Sequence, residues 1–102
     1  MAEPTKFISA AINSAKVVLF TKPGCPYCSM AENVIKKYPV QGGVKVVDIS
    51  SVQNCSQIQD ELGKMTGART VPRVFINGSF VGGGTDVESL HKTGKLQAML
   101  DA

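Results

Sequence analysis

Residues Val17-Val18-Leu19-Phe20 form an uninterrupted apolar run that is cut off at Pro23-Gly24. A strand with one wet face alternates in polarity, whereas a run apolar at every position is the pattern of a strand buried on both faces, as in a parallel sheet. Such a strand needs cover above and below, and the flanking sequence supplies it. Phe7, Ile8, Ala11, Ile12 and Ala15 recur at helical spacing and predict a helix from roughly Pro4 to Ala15. Downstream, Met30, Ala31, Val34 and Ile35 predict a second helix that ends before Pro39 and the Gly42-Gly43 turn.

The rest of the chain continues the alternation. Val44, Val46, Val47 and Ile49 read as a second strand. Asn54 stands where it can cap a third helix, with Gln57 in the capping-box position and Ile58, Leu62 and Met65 as the buried stripe. Gly67 suits the carboxyl-terminal cap. Val74 to Ile76, Asn77-Gly78 and Phe80-Val81 read as a hairpin with a tight primed turn. Thr85 and Glu88 form another capping box, opening a final helical region through Leu90, Leu96 and Leu100. The expected order is α-β-α-β-α-β-β-α. Strands separated by helices imply crossovers and a partly parallel sheet, which the hairpin makes mixed. With 102 residues there is room for one core, and a single domain over residues 1–102 is expected.

Three cysteines are an odd number, which argues against a disulfide-stapled secreted scaffold. Two of them, Cys25 and Cys28, lie two residues apart, directly after a predicted strand and at the start of a predicted helix. Unpaired N–H groups and the helix dipole favour an anion there, Pro26 suits a first turn, and Lys22 adds positive charge. These features predict a Cys25 pKa below the free value of about 8.5. Moving a thiol from about 8.5 to about 7 raises its thiolate fraction at pH 7 from roughly 3% to roughly 50%. Nucleophilicity falls about fivefold meanwhile, so the gain in attack is only a few-fold. Cys28, one turn further in, is expected to be more buried. Closing so short a loop stabilises a fold by only about 2 kcal/mol, which suits a reversible bond better than a staple. The residues alone leave three readings for the pair. Redox catalysis is favoured by the strand-to-helix junction of a βαβ unit. Metal or Fe–S binding lacks a second CxxC, and His91 is a single distant imidazole. Two inert thiols are the third.

Lys22-Pro23-Gly24-Cys25-Pro26-Tyr27-Cys28, followed by Thr70-Val71-Pro72 and by Gly82-Gly83 before Thr85-Asp86, resembles a dithiol glutaredoxin over nearly the whole chain, from about Phe7 to Leu100. The resemblance implies an α/β thioredoxin-like fold with a mixed four-stranded sheet flanked by helices on both faces. It implies a glutathione-dependent thiol–disulfide oxidoreductase that reduces protein–glutathione mixed disulfides and other disulfides, with Cys25 as nucleophile and Cys28 as resolving thiol. Glutathione would be a co-substrate, with no tightly bound cofactor and no metal. By the same resemblance Pro72 matches a cis-proline that leaves the Val71 backbone free to pair with the cysteinyl part of glutathione, beside Thr70. Lys22 and Gln59 match groups that hold the glycine carboxylate, and Tyr27 flanks the site. The N–H groups of Thr85 and Asp86 suit the γ-glutamyl carboxylate, and the Asp86 side chain its ammonium. Gly82 and Gly83 allow close backbone approach.

Two rivals stand beside this. Thioredoxin-type reductants usually show Trp-Cys-Gly-Pro-Cys, whereas this chain has no Trp and carries Pro26-Tyr27 between its cysteines. An Fe–S carrier built from two chains is disfavoured by the rigid Pro26. Cys55 matches no motif, and the position where some relatives carry a further cysteine is Gly84. Arg69 and Arg73 flank Thr70-Val71-Pro72 as candidates for steering anions or as plain solvated side chains; Met30, Met65 and Met99 read as packing and His91 as surface. A net charge of +3 with scattered basic residues points away from nucleic acid. No apolar run is long enough for a membrane span, and no secretory or transit signal is read, so a cytoplasmic monomer is expected.

Overall fold

A computed structural model describes residues 3–102. The apolar run becomes β1 (Val17–Thr21), every residue of which is buried. It lies inside a four-stranded sheet of order β2-β1-β3-β4. β2 (Val44–Asp48) runs parallel to β1, β3 (Arg73–Ile76) antiparallel to it, and β4 (Ser79–Gly82) antiparallel to β3. Helix α2 (Pro26–Ile35) makes the crossover from β1 to β2, and α3 (Cys55–Thr66) leads from β2 back to β3 after a 3-10 turn at Ile49–Ser51. Helices α1 (Glu3–Ile12), α4 (Gly84–Lys92) and α5 (Leu96–Asp101) complete the cover. None of these helices is long and apolar enough to cross a membrane.

The alternation of a strand explains why β1 must be apolar throughout. Val17 and Leu19 pack with Ala31, Val34 and Ile35 of α2, Val87 of α4 and Leu96 of α5. Val18 and Phe20 face the other way, onto Ile8 of α1 and Ile58 and Leu62 of α3. Phe20 meets Phe75 of β3 edge-to-face at 5.7 Å, an arrangement worth about 0.5–1.5 kcal/mol beyond area burial. The mixed sheet with a helical layer on each face is the architecture expected. The hairpin turn is also as expected: Asn77 and Gly78 take φ of 54° and 78°, the two positive values that a type I′ turn requires.

Several local expectations need correction. α1 ends at Ile12 rather than Ala15. Ile49 is buried but belongs to the 3-10 turn, not to β2. Val44 and Val46 are 45% and 44% exposed, because β2 is an edge strand and the helices on their face leave that edge bare. Asn54 precedes α3 without a side-chain capping bond; its ψ of 43° departs from the extended backbone that aims a cap at the first turn. Met65 is 44% exposed, the stripe of α3 being carried by Ile58 and Leu62 alone. Gly67 does cap α3, at φ 92°. The last helical region is two helices, parted at Thr93-Gly94 where Gly94 takes φ 76°. His91 is half-buried rather than at the surface, hydrogen-bonded through Nδ1 to Tyr38 Oη and set edge-on to its ring.

Candidate active site

β1 ends at Thr21, and the chain turns through Gly24 at φ 72° before α2 begins. Cys25 occupies the N-cap of α2 with extended backbone, and Pro26 is the first helical residue. The sulfur does what a serine oxygen does at an ordinary cap: the Cys28 backbone N–H donates to Cys25 Sγ at 3.2 Å. Cys25 is half-buried, with Sγ 3.7 Å from the Val71 carbonyl oxygen. Cys28 is 2% exposed, as expected of the inner residue. Burial first, and then the hydrogen bond to Cys25, pushes the Cys28 thiol up to about 12. Both thiols are free.

Beside Cys25 lies an open groove of about 430 Å³. One wall is Thr70, Val71, Pro72 and Arg73; the other is Gly83, Gly84, Thr85 and Asp86, with Tyr27 at its edge. The Val71–Pro72 bond is cis. Of the residues singled out in the sequence, Tyr27, Thr70, Val71, Pro72, Gly83, Thr85 and Asp86 are thus brought together. Lys22 and Gln59 do not line this groove. They meet each other instead, Lys22 Nζ donating to Gln59 Oε1 at 2.9 Å. Gln59 Nε2 donates in turn to the Arg69 carbonyl at 3.0 Å, so this one side chain joins α3, the residue three before Cys25 and the loop leading to Val71.

The start of α4 differs from expectation. The cap is Gly83, not Thr85, and the reciprocal partner is Asp86: the Gly83 N–H donates to Asp86 Oδ2 at 2.9 Å. An acidic residue at the third helical position satisfies a donor that a Thr85 cap would have left bare. The close return also accounts for Gly82, which takes φ 133° and where a Cβ would lie 2.4 Å from Asp86 Cβ. The first intrahelical bond runs from Val87 N–H to Gly83 O. The N–H groups of Gly84, Thr85 and Asp86 therefore have no acceptor within the helix and stand at its positive end.

Sequence reasoning missed two groove residues. Gly84 entered only as a position lacking a cysteine, and its value lies in what it packs against. The sequence alone allows Arg73 to steer anions or to be a plain solvated side chain. Its guanidinium is instead half-buried, with Cζ 5.0 Å from the Phe80 ring centroid. Burial lowers its pKa and the nearby Asp86 charge opposes that shift. No local pattern marks it, because the groups that hold it, Thr66 and Phe80, belong to other elements. Arg69, by contrast, turns outward and pairs with Asp60 at 2.7 Å. Cys55 begins α3, half-buried, its Sγ 3.7 Å from Gln59 Oε1.

A half-buried sulfur at a helix N-terminus, a buried partner one turn inside and a groove bordered by open backbone donors can support thiol–disulfide exchange on a peptide-sized substrate. Comparison with known proteins agrees. Residues 17–81 match the family model for glutaredoxin. The chain is 48% identical to bovine mitochondrial glutaredoxin-2 over 93 residues, covering 91% of this chain and 58% of that protein. It is 46% identical to mouse glutaredoxin-1 over 96 residues, covering 93% of this chain and 90% of the relative. Among solved structures, a buckwheat glutaredoxin–glutathione complex superposes with a TM-score of 0.86 at 31% identity, covering 99% of this chain and 94% of that one. The strand order, the thioredoxin-like architecture and the Cys25–Cys28 pair thus meet in one assignment: this chain belongs to the glutaredoxin family of glutathione-dependent thiol–disulfide oxidoreductases.

Proposed function

We propose that Cys25 is the nucleophile and Cys28 the resolving thiol in the reduction of protein–glutathione mixed disulfides and other disulfides. The observation that carries this is the contrast between the two sulfurs. Cys25 Sγ sits at the helix mouth and accepts the Cys28 N–H at 3.2 Å, a donor that gains strength when the sulfur is an anion. Cys28 is buried and its thiol is pushed up to about 12, so it keeps its proton at neutral pH. Attack from outside therefore begins at Cys25.

In the first step the Cys25 thiolate attacks the glutathione sulfur. A Cys25–glutathione disulfide forms and the client thiolate leaves, taking a proton from water. A second glutathione thiolate then attacks the glutathione sulfur, producing oxidised glutathione and restoring the Cys25 thiolate. Alternatively Cys28, losing its proton as it attacks Cys25, expels glutathione and closes the Cys25–Cys28 disulfide, which two further glutathiones reduce.

The groove and the Lys22–Gln59 pair outside it together offer a partner for each part of the tripeptide. The Val71 backbone is available to pair with the cysteinyl unit in the manner of an added strand, with Thr70, Pro72 and Tyr27 around it. The N–H groups of Thr85 and Asp86 suit the γ-glutamyl carboxylate and the Asp86 carboxylate its ammonium. Gly83 keeps the backbone close. Lys22 and Gln59, outside the groove lining, take the glycine carboxylate. The glutathione in the buckwheat neighbour's complex supports a bound tripeptide here. One monomeric domain in the cytoplasm, with glutathionylated or disulfide-containing proteins as clients, completes the reading. One similar protein is named as mitochondrial, so fractionation of cells expressing the tagged chain is the check on compartment.

The test is a coupled glutathione reductase assay on a glutathione mixed disulfide. Cys25→Ser is expected to be inactive and Cys28→Ser to retain the monothiol reaction. Loss of that reaction in Cys28→Ser would overturn the assignment of roles.

A further inference from the structure

The polar contacts of Arg73 in the groove wall all go to the protein's own framework. Nε donates to the Pro72 carbonyl at 3.1 Å, Nη1 to Thr66 Oγ1 at 3.4 Å and Nη2 to Thr70 Oγ1 at 3.4 Å. Thr66 is the last residue of α3 and is itself fixed to the Leu62 carbonyl at 2.7 Å. The guanidinium also lies over the Phe80 ring of β4. Nη2 borders the start of α4, since a Cβ on Gly83 would come within 3.3 Å of it. One planar group thus touches α3, β4, both ends of the Thr70–Pro72 segment and the edge of the opposite wall.

We propose that Arg73 is a positioning residue for the reaction, holding Thr70-Val71-Pro72 at the height where the Val71 backbone can pair with glutathione. This rests on the glutathione site proposed above. The physical reason is that Thr70-Val71-Pro72 ends an irregular connection, residues 67–72 between α3 and β3, with few internal hydrogen bonds of its own. Its placement must come from side chains, and a guanidinium is suited to the task because its donors are fixed in one plane. Three different atoms of the fork are engaged, which a lysine ammonium cannot copy from the same stem. Partial burial adds to the hold at the Pro72 carbonyl and the Thr66 hydroxyl, whereas the Thr70 contact lies at the surface. The contribution is to binding geometry and not to the sulfur chemistry, because the hydrogen bonds of Arg73 go to Thr66, Thr70 and Pro72 and none to Cys25 or Cys28.

The test compares Arg73→Met and Arg73→Lys with the wild type in the coupled assay on a glutathione mixed disulfide, alongside the rate at which iodoacetamide alkylates Cys25. Loss of hydrogen bonds from a charged donor is expected to raise KM about tenfold in Arg73→Met, with kcat changed less than about threefold. The alkylation rate, which needs no tripeptide, stays at the wild-type value. Arg73→Lys keeps the charge and is expected to resemble Arg73→Met. Thr66→Val removes one anchor of the fork and is expected to raise KM about threefold; it carries the test if Arg73→Met does not fold. Unchanged KM in the folded variants, or full recovery in Arg73→Lys, would overturn the proposal. A wild type that shows no saturation by the mixed disulfide would instead overturn the glutathione site itself.

Discussion

Gly84 lies directly against the main chain of Tyr27: a Cβ at Gly84 would come within 2.6 Å of the Tyr27 carbonyl oxygen and 3.2 Å of its Cβ. The first turn of α4 is therefore packed on the first turn of α2, and the two helix N-termini open onto the same groove. Neither element can yield by turning a side chain aside, because the atom met first is backbone. Gly84→Ala gains at most about 1 kcal/mol of helix propensity, whereas forcing a methyl group into a closed contact costs about 1–3 kcal/mol. Net destabilisation is expected, together with a raised KM for the glutathione mixed disulfide as α4 moves off α2. Urea unfolding and the coupled assay read the two effects, and a variant at least as stable as wild type would show that the contact relaxes freely.

Asp86 has two tasks that substitution can separate. Its Oδ2 caps Gly83 N–H, and its charge is proposed to receive the γ-glutamyl ammonium. Asp86→Asn retains an oxygen acceptor and should lose little stability, while Asp86→Ala removes the cap at a cost of about 0.5–2 kcal/mol. Both should raise KM for a glutathionylated substrate, the Asn variant because only the charge is gone. Equal KM in Asp86→Asn and wild type would assign Asp86 to the fold alone.

The same residues show why parts of the site were legible in the sequence and parts were not. Motifs that constrain the backbone were readable, since glycine, proline and a cysteine pair restrict local geometry: Asn77-Gly78 makes its I′ turn, Gly67 caps α3, and Cys25-Pro26 begins α2. Hydrophobic patterning identified β1 from its unbroken apolar run and α2 from its helical spacing, because both are covered on the faces assigned. It failed at Met65 and at Val44 and Val46, where spacing is right but the strand is at an edge or the helix has turned outward. The α4 cap was misplaced by two residues because Thr85 and Glu88 satisfy the same local rule as Gly83 and Asp86; only the chain path, folding Asp86 back under Gly82, decides between them. Arg73 was undecidable for a related reason. Its contacts reach Thr66 and Phe80, and no local pattern reports tertiary neighbours.

Lys22 and Gln59 give a prediction that depends on salt. The Lys22 Nζ to Gln59 Oε1 bond holds the ammonium beside α3, so the glycine carboxylate proposed to bind here would meet a charge already in place. The pair is only half-buried, which limits its value to about 1 kcal/mol, or a few-fold in KM. Lys22→Met should therefore raise KM a few-fold at low ionic strength. Wild type and variant should converge near 1 M salt, where the screening length is about 3 Å. A ratio that stays constant across the salt series would mean that Lys22 acts through packing and not through charge.

Cys28 predicts how stability should change with pH. Its thiol titrates at about 8.5 to 9.0 when unperturbed and is pushed up to about 12 in the fold by burial, with the Cys25 hydrogen bond second. Below about pH 8.5 both folded and unfolded chains keep the proton, and the contribution is fully present. Between about 8.5 and 12 the unfolded chain releases its proton while the folded chain retains it, so stability falls as pH rises. Cys28→Ala lacks this group but shares every other titrating side chain with the wild type. The stability difference between the two proteins, from urea unfolding under reducing conditions, should hence be constant from pH 7 to 8.5 and shrink steadily from 9 to 11. A difference that does not change over that range would mean that Cys28 ionises in the fold as freely as an exposed thiol. The contrast between an outer sulfur that attacks and an inner one that waits with its proton would then lose its physical basis.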